Sequence, residues 1–251
     1  MSMNIPMGMP MIILMINSND PAPSLREATV MDNTHLRLWQ LINPTLPIGA
    51  FAYSQAQEYA VDAGWINDEA SARAWIEELL REVLSVTEVP VLARCYRAAR
   101  QQDWPDFVCW NQILLAMRES SELYQEDIQL GAAMLRVFPS LGIEINDALV
   151  DRPLSYAAAF GYACAVWEIA LEQAVQGFLW AWCETQVAAA IKLVPLGQSA
   201  GQRTLSVLRE QIAAGVARGL ACEDDDIGML APGFAMASAR HEQQYSRLFR
   251  S

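Results

Sequence analysis

The sequence is short of the residue types that most enzymes and metal sites use. Only two histidines, His35 and His241, occur in 251 residues, and neither has a second histidine three or four positions away. A histidine-based zinc site is therefore not expected. Phosphate loops, dinucleotide fingerprints and Gly-x-Ser-x-Gly elbows are missing as well. We predict no catalytic residue, no metal ligand and no cofactor.

Lysine is almost absent, since Lys192 stands alone against sixteen arginines. Acidic residues outnumber basic ones by 29 to 17, which gives a formal net charge of -12. A field of this sign repels phosphate backbones, so nucleic-acid binding is not expected. Arginine is enriched at protein interfaces because its planar fork makes paired hydrogen bonds, although genomic base composition produces the same bias.

Long uncharged apolar runs are also missing. The most apolar stretch, residues 154–195, is interrupted by Glu168, Glu172, Glu184 and Lys192. A membrane span needs roughly 18–20 uncharged apolar residues, so none is predicted. A signal peptide is not predicted either, because the apolar stretch 11–16 is short and no basic residue precedes it.

The cysteines are scattered and odd in number, and no two of them form a Cys-x-x-Cys pair. They are Cys95, Cys109, Cys164, Cys183 and Cys222. Most lie in apolar surroundings, so buried thiols in a reducing compartment fit best. We therefore expect a cytoplasmic protein.

The apolar residues that are present repeat with the period of an α-helix. One continuous stripe has the spacing i, i+3, i+4, i+7 and i+8 and consists of Ile76, Leu79, Leu80, Val83 and Leu84. Asp68 is a suitable cap before this helix, and Gly64 a suitable end for the preceding one. Gly215 and Gly219 are spaced to let helices pack closely.

Similar patterns, punctuated by prolines, predict helices over most of the chain. They cover 34–42, 52–63, 69–87, 90–101, 105–118, 121–137, 146–151, 154–169, 171–192 and 198–220. The connections are short, as in a compact bundle. The predicted fold is all-α, a single-domain bundle of about ten helices over residues 34–234. Residues 1–33 are predicted to be a poorly ordered extension, and residues 235–251 a C-terminal tail that binds a partner.

The first of three notable motifs is NPTLPIGAFAYSQAQE, residues 43–58. Its prolines and glycine predict a rigid turn, after which a helix presents Tyr53 and Glu58 near its start. A plain helix connector is the alternative, with Phe51 buried and Tyr53 at least half-buried.

The second motif is KLVPLGQSAGQ, residues 192–202. Lys192 ends an apolar helix, where its charge complements the helix dipole. Gln198 and Gln202 share one face if the next helix starts there. A helix-loop-helix corner with amide capping is the alternative.

The third motif is SARHEQQYSRLFRS, residues 238–251. A helical stripe is predicted here, with Ser238 as its cap, and it consists of His241, Tyr245, Leu248 and Phe249. Arginines flank the stripe, and aromatic residues with arginines at a chain end are typical of an interface hot spot. A terminal helix packed on its own body is the alternative.

Taken together, the three motifs resemble the signatures of the UreF family of urease accessory proteins, in the same order, over about Leu36 to Ser251. The resemblance implies an all-α homodimer that binds the accessory protein UreD (also called UreH) and recruits the GTPase UreG. The complex acts on apo-urease, where nickel is installed around a carbamylated lysine. The expected role is that of a non-enzymatic scaffold, and a chaperone that binds nickel itself is the alternative.

By this resemblance the GTPase-facing residues are Tyr53, Lys192 and Arg250, and residues 238–251 order on the UreD/UreH partner. The complete set of expected partner-binding residues, displayed outward, is Tyr53, Ser54, Glu58, Lys192, Gln198, Gln202, His241, Tyr245, Arg247, Phe249 and Arg250. Two positions depart from the family pattern. Ala56 stands where the family usually has glycine, and Asn43 replaces a more usual serine.

Overall fold

The computed structural model describes residues 25–228 and 231–251, with side chains from residue 33 onward. Ten α-helices form within these residues, and the all-α prediction is confirmed. They are α1 (Leu25–Leu41), α2 (Gln57–Asp62), α3 (Glu69–Leu79), α4 (Glu88–Gln101), α5 (Trp104–Ala116), α6 (Ser121–Val137), α7 (Tyr156–Val166), α8 (Leu171–Leu193), α9 (Gln198–Leu220) and α10 (Pro232–His241).

Most predicted boundaries agree with the structure within a few residues, and that of α9 agrees at both ends. Helix α1 begins earlier than predicted and so includes the last residues of the expected extension, while residues 1–24 lie outside the described residues. The helix predicted at 146–151 is a single 3-10 turn, Asp147–Leu149.

The predicted helix 52–63 is shorter than expected. Gln55 and Ala56 have left-handed backbone angles, with φ of 49° and 63°, which interrupt a right-handed helix. A 3-10 turn, Ala50–Ala52, therefore precedes α2, and a bend separates the two elements.

Helix α3 begins and packs as its sequence predicts. The Asp68 carboxylate accepts a hydrogen bond from the Ser71 amide at 2.8 Å, and the pair forms a capping box. All five residues of the predicted apolar stripe are buried. The stripe continues through a π-helical turn, Leu80–Leu84, against which α9 packs.

The core is centred on α7, which packs against α4, α6 and α8. Residues 157–165 are all buried, and small side chains let the helices approach closely. A Cβ atom on Gly131 would lie 1.9 Å from the carbonyl oxygen of Leu154. On α9, a Cβ atom on Gly219 would lie 2.4 Å from Val89 Cγ1, so close packing at this predicted glycine is confirmed.

The C-terminal region departs from the predicted helical stripe. Helix α10 already includes Ser238, which is therefore not a cap, and its Oγ lies 2.6 Å from the hydroxyl oxygen of Ser120. After His241 the chain leaves the helix, and residues 242–251 are non-helical. We call these ten residues the C-terminal segment.

No helix in the described residues is long and apolar enough to cross a membrane. Cys95, Cys164 and Cys183 are buried, Cys109 is exposed and Cys222 is half-buried, and all five thiols are free.

Candidate partner-binding site

The C-terminal segment lies against the first motif through backbone hydrogen bonds. The Arg250 amide donates to the carbonyl oxygen of Ala52 at 2.8 Å. The Ser251 main-chain oxygen accepts two bonds from Ser54, one from its amide and one from its hydroxyl, each at 2.7 Å. The first and third motifs, almost 200 residues apart, therefore form one structural unit.

Glu58 holds the same segment from α2. Its two carboxylate oxygens each accept one backbone amide, from Leu248 at 2.7 Å and from Phe249 at 2.8 Å. The Nε2 atom of His241 lies 3.4 Å from one of these oxygens. Glu58 is only 8% exposed, so these bonds are shielded from water. Charge-assisted bonds of this kind are stronger than those between neutral groups.

Glu122, on α6, links α10 to the C-terminal segment. Its carboxylate lies 2.7 Å from His241 Nδ1 and forms an ion pair with Arg247. The His241 ring is fully buried between the carboxylates of Glu58 and Glu122. The end of α10 is therefore anchored on both sides by acidic side chains.

Glu126 lies one turn further along α6. Its carboxylate accepts hydrogen bonds from the Ser251 hydroxyl at 2.5 Å and from the Gln55 amide group at 2.8 Å. Gln55 in turn accepts a bond from Trp182 Nε1 at 2.7 Å, which connects the site to α8. Burial raises the pKa of Glu126 to about 7, against the smaller lowering effect of its two hydrogen-bond donors.

Exposed side chains surround this buried contact. Phe51 is 69% exposed, and Lys192 and Arg250 also face outward. The Lys192 ammonium lies 5.5 Å from the ring centre of Phe249, so the second motif reaches the third. We call Phe51, Lys192 and Arg250 the convergent face, because each of the three motifs contributes one residue to it.

The structure agrees with neither interpretation of the first motif in full, because Tyr53 is buried, as in the connector alternative, while Phe51, which that alternative buries, is exposed. Tyr53 is only 5% exposed, and its hydroxyl donates to Gln129 at 2.7 Å. Its predicted outward display is therefore wrong. The left-handed bend at Gln55 and Ala56 begins two residues after Tyr53 in the chain. Phe51, in the preceding 3-10 turn, is the aromatic side chain that is exposed.

Four other expected contacts are also buried within this chain, so their predicted outward display is wrong. They are Ser54, Glu58, His241 and Phe249. Tyr245 and Arg247 are exposed as expected. Gln198 and Gln202 are exposed on one face of α9, as predicted, but they line a separate shallow groove together with Glu69 and Arg203.

A cavity of about 160 Å³ opens beside the convergent face, between the first motif and α8. Both Phe51 and Lys192 contribute to its lining. Its walls are mostly apolar, with Leu41, Leu46 and Ile48 on one side and α8 on the other. The size and the apolar lining of this cavity suit an apolar side chain.

Sequence reasoning missed Glu122 and Glu126, although a signal was present. Together with Gln129 they have the spacing i, i+4 and i+7, which predicts a polar stripe on one face of α6. That stripe lies under the first motif and the C-terminal segment, where it binds Tyr53, Gln55 and the tail.

The departure at Ala56 has a structural explanation. Its φ of 63° lies in the left-handed region that glycine adopts without cost. The glycine that the resemblance implies at this position would adopt the bend without strain, whereas Ala56 adopts it at some cost. In the described part of the chain, no group of three or more His, Cys, Asp or Glu side chains is arranged to hold a metal ion.

Comparison with known proteins agrees with the motifs. The UreF family model matches residues 66–209. The urease accessory protein UreF of Alkalilimnicola ehrlichii is 46% identical over 216 residues, which cover 86% of this chain and 95% of that protein. The UreF protein of Alcanivorax borkumensis is 46% identical over 230 residues, which cover 88% of this chain and 99% of that protein. The UreF protein of Chromohalobacter salexigens is 45% identical over 215 residues, which cover 85% of this chain and 93% of that protein. The chain therefore belongs to the UreF family of urease accessory proteins.

Proposed function

We propose that this protein is a non-enzymatic scaffold that joins a UreD/UreH-type protein to a UreG-type GTPase for nickel insertion into apo-urease, in the cytoplasm. The observation that carries the proposal is the convergence of three distant motifs on one exposed face. A catalytic site gathers reactive groups in a cleft, whereas here the reactive groups are buried in structural bonds and the exposed groups suit recognition.

The GTPase is proposed to bind the convergent face. Lys192 and Arg250 are exposed cations on a strongly acidic chain, and within the described residues neither forms an ion pair with a carboxylate. Phe51, in the first motif, adds an exposed aromatic ring at the edge of the cavity. Aromatic and arginine side chains are the residues most enriched in interface hot spots.

The UreD/UreH-type partner is proposed to bind the outer side of α10 and the C-terminal segment. Three large apolar side chains are exposed there, with Met236 at 52%, Leu248 at 66% and Tyr245 fully exposed. Apolar groups exposed so close together along a chain are typical of a surface that a partner covers.

Homodimerisation is proposed to involve α1. Leu36 is 51% exposed and Trp39 is 60% exposed, and they stand three positions apart on one face of this helix. Among the described residues, helix α1 packs mainly on α8, and its exposed Leu36 and Trp39 are proposed to contact a second copy. Sedimentation of the wild type against a Trp39→Ser variant tests this part, and we expect the variant to be monomeric at micromolar concentration.

The GTPase contact is tested by an Arg250→Ala variant, co-expressed with UreD- and UreG-type proteins and purified through a tag. Because the Arg250 side chain is exposed, we expect a normal fold and at least about tenfold weaker capture of the GTPase, as for a hot-spot arginine. Arg97→Ala, at an exposed site on α4, is the matched control.

Normal GTPase capture by Arg250→Ala would reject the assignment of this face. Equilibrium dialysis of the isolated protein against nickel tests the alternative function. One tightly bound nickel ion per monomer would favour a chaperone that carries the metal itself.

A further inference from the structure

We propose that Glu58 is a positioning residue, which clamps the C-terminal segment so that Arg250 is presented beside Phe51 on the convergent face. This inference rests on the proposed function, because it assigns a purpose to the orientation of Arg250. Glu58 is too buried to contact a partner itself, with 8% of its surface exposed.

The clamp is specific for backbone, not for side chains. The two oxygens of Glu58 accept the consecutive amides of Leu248 and Phe249 at 2.7 and 2.8 Å. Two hydrogen bonds to neighbouring peptide groups fix both the position and the direction of the chain. The next residue in the chain is Arg250.

Arg250 is held from its other side as well. Its amide donates to Ala52, and the following residue, Ser251, is bound through its main-chain oxygen by Ser54. The backbone of residues 248–251 is therefore fixed at every position, while the Arg250 side chain remains exposed. This arrangement lowers the entropy that the arginine loses when a partner binds it.

A carboxylate is required at position 58 for a simple chemical reason. Both of its oxygens accept hydrogen bonds, whereas an amide offers one acceptor and one donor group. In a Glu58→Gln variant an NH₂ group would face a backbone N–H, and donor would meet donor. Removal of a buried charge-assisted bond of this type weakens the contact by about tenfold to a hundredfold.

The His241 ring, beside the clamp, reaches Glu58 and Glu122, and Arg247 also pairs with Glu122. These groups connect α10 to the same carboxylates that hold the C-terminal segment. A partner that covers α10 therefore binds next to the clamp. The clamp can in this way be stabilised by one partner while it presents Arg250 to another.

The test uses the full-length chain carrying Glu58→Gln, with Glu210→Gln at an exposed site on α9 as the matched control. Hydrogen exchange measured at the Leu248 and Phe249 amides reports on the clamp directly, and capture of the UreG-type GTPase reports on presentation. We expect at least about tenfold faster exchange at both amides, with α7 amides unchanged, and at least about tenfold weaker capture. Combined with Arg250→Ala, Glu58→Gln should add little further loss, because both changes remove the same contact.

Unchanged exchange at the two amides would overturn the clamp. Faster exchange with normal GTPase capture would overturn the positioning role, provided that Arg250→Ala weakens capture. If Arg250→Ala leaves GTPase capture unchanged, the convergent face is not the GTPase-binding surface, and Glu58 has no positioning role for that contact. The exchange measurement still decides whether the clamp exists. Should Glu58→Gln fail to fold, Ser54→Ala removes the hydroxyl bond to the Ser251 main-chain oxygen, at the end of the same segment, and is expected to give the same changes at smaller size.

Discussion

Two regions of this molecule are held together by opposite chemistry. Around α7 the contact is apolar and close, with small residues where helix backbones meet. Beneath the C-terminal segment the contact is made by the buried Glu58 and Glu126 and the half-buried Glu122, which bind amides, hydroxyls and cations. The apolar contacts form the core of the helical domain, and the polar contacts hold a short segment in one position.

The two regions meet at a buried ion triad. Arg118 lies 2.5 Å from Glu88 and 2.8 Å from Asp127, and the three side chains are at most 11% exposed. Asp127 also accepts the Tyr156 amide at the start of α7, at 2.7 Å. The polar contacts therefore extend to the first turn of α7.

The largest effect that we expect comes from breaking this link. An Arg118→Leu variant leaves the carboxylates of Glu88 and Asp127 buried without their cation. Loss of one partner from a buried ion pair costs about 3–5 kcal/mol. Urea unfolding measures this directly, and a loss below about 1 kcal/mol would mean that the triad is open to water.

A slightly smaller effect is expected in the apolar region. A Gly131→Ala variant places a methyl group 1.9 Å from the Leu154 carbonyl oxygen, which is backbone and cannot rotate away. We expect a loss of about 3 kcal/mol in the free energy of unfolding, at the upper end for overpacking. Gly233→Ala is the control, because its methyl group meets nothing within 4 Å. Equal stability of the two variants would show that Gly131 lies further from the Leu154 carbonyl oxygen than the structure places it.

The smallest effect has the opposite sign and belongs to the polar region. The pKa of Glu126 rises from 4.5 to about 7 on folding, so its contribution to stability is complete below pH 4.5 and is lost as the pH rises towards 7. In Glu126→Gln the amide oxygen still accepts from Gln55, and the amide NH₂ donates to the Ser251 hydroxyl oxygen, so both contacts remain without the charge. We expect it to stabilise the protein by about 1–2 kcal/mol at pH 8 and by much less at pH 5.

Thermal unfolding of the wild type and Glu126→Gln across this pH range checks the sign. Destabilisation by Glu126→Gln at pH 8 would show that Glu126 is ionised and well paired in the folded protein. In that case the polar contact would gain stability from this charge and not merely tolerate it.

The same contrast explains what the sequence could predict. Helix α9 and the apolar stripe of α3 follow from a period that local sequence carries. The capping box at Asp68 is also local. The family assignment followed from three short motifs, and comparison with relatives confirmed it.

The contacts of the C-terminal segment could not be predicted because they depend on distant pairings. No local rule connects Glu58 with the amides of Leu248 and Phe249, which lie about 190 residues away. The left-handed bend at Gln55 was equally invisible, because glutamine does not favour it. That bend decides which aromatic residue of the first motif faces outward.

The most direct measurement for this account is hydrogen exchange at the Leu248 and Phe249 amides of the wild-type, full-length protein at neutral pH. A clamped C-terminal segment predicts protection of both amides well above that of an unstructured chain, comparable with the end of α10. Exchange at the unprotected rate would contradict the central claim, since Arg250 would then have no fixed place beside Phe51.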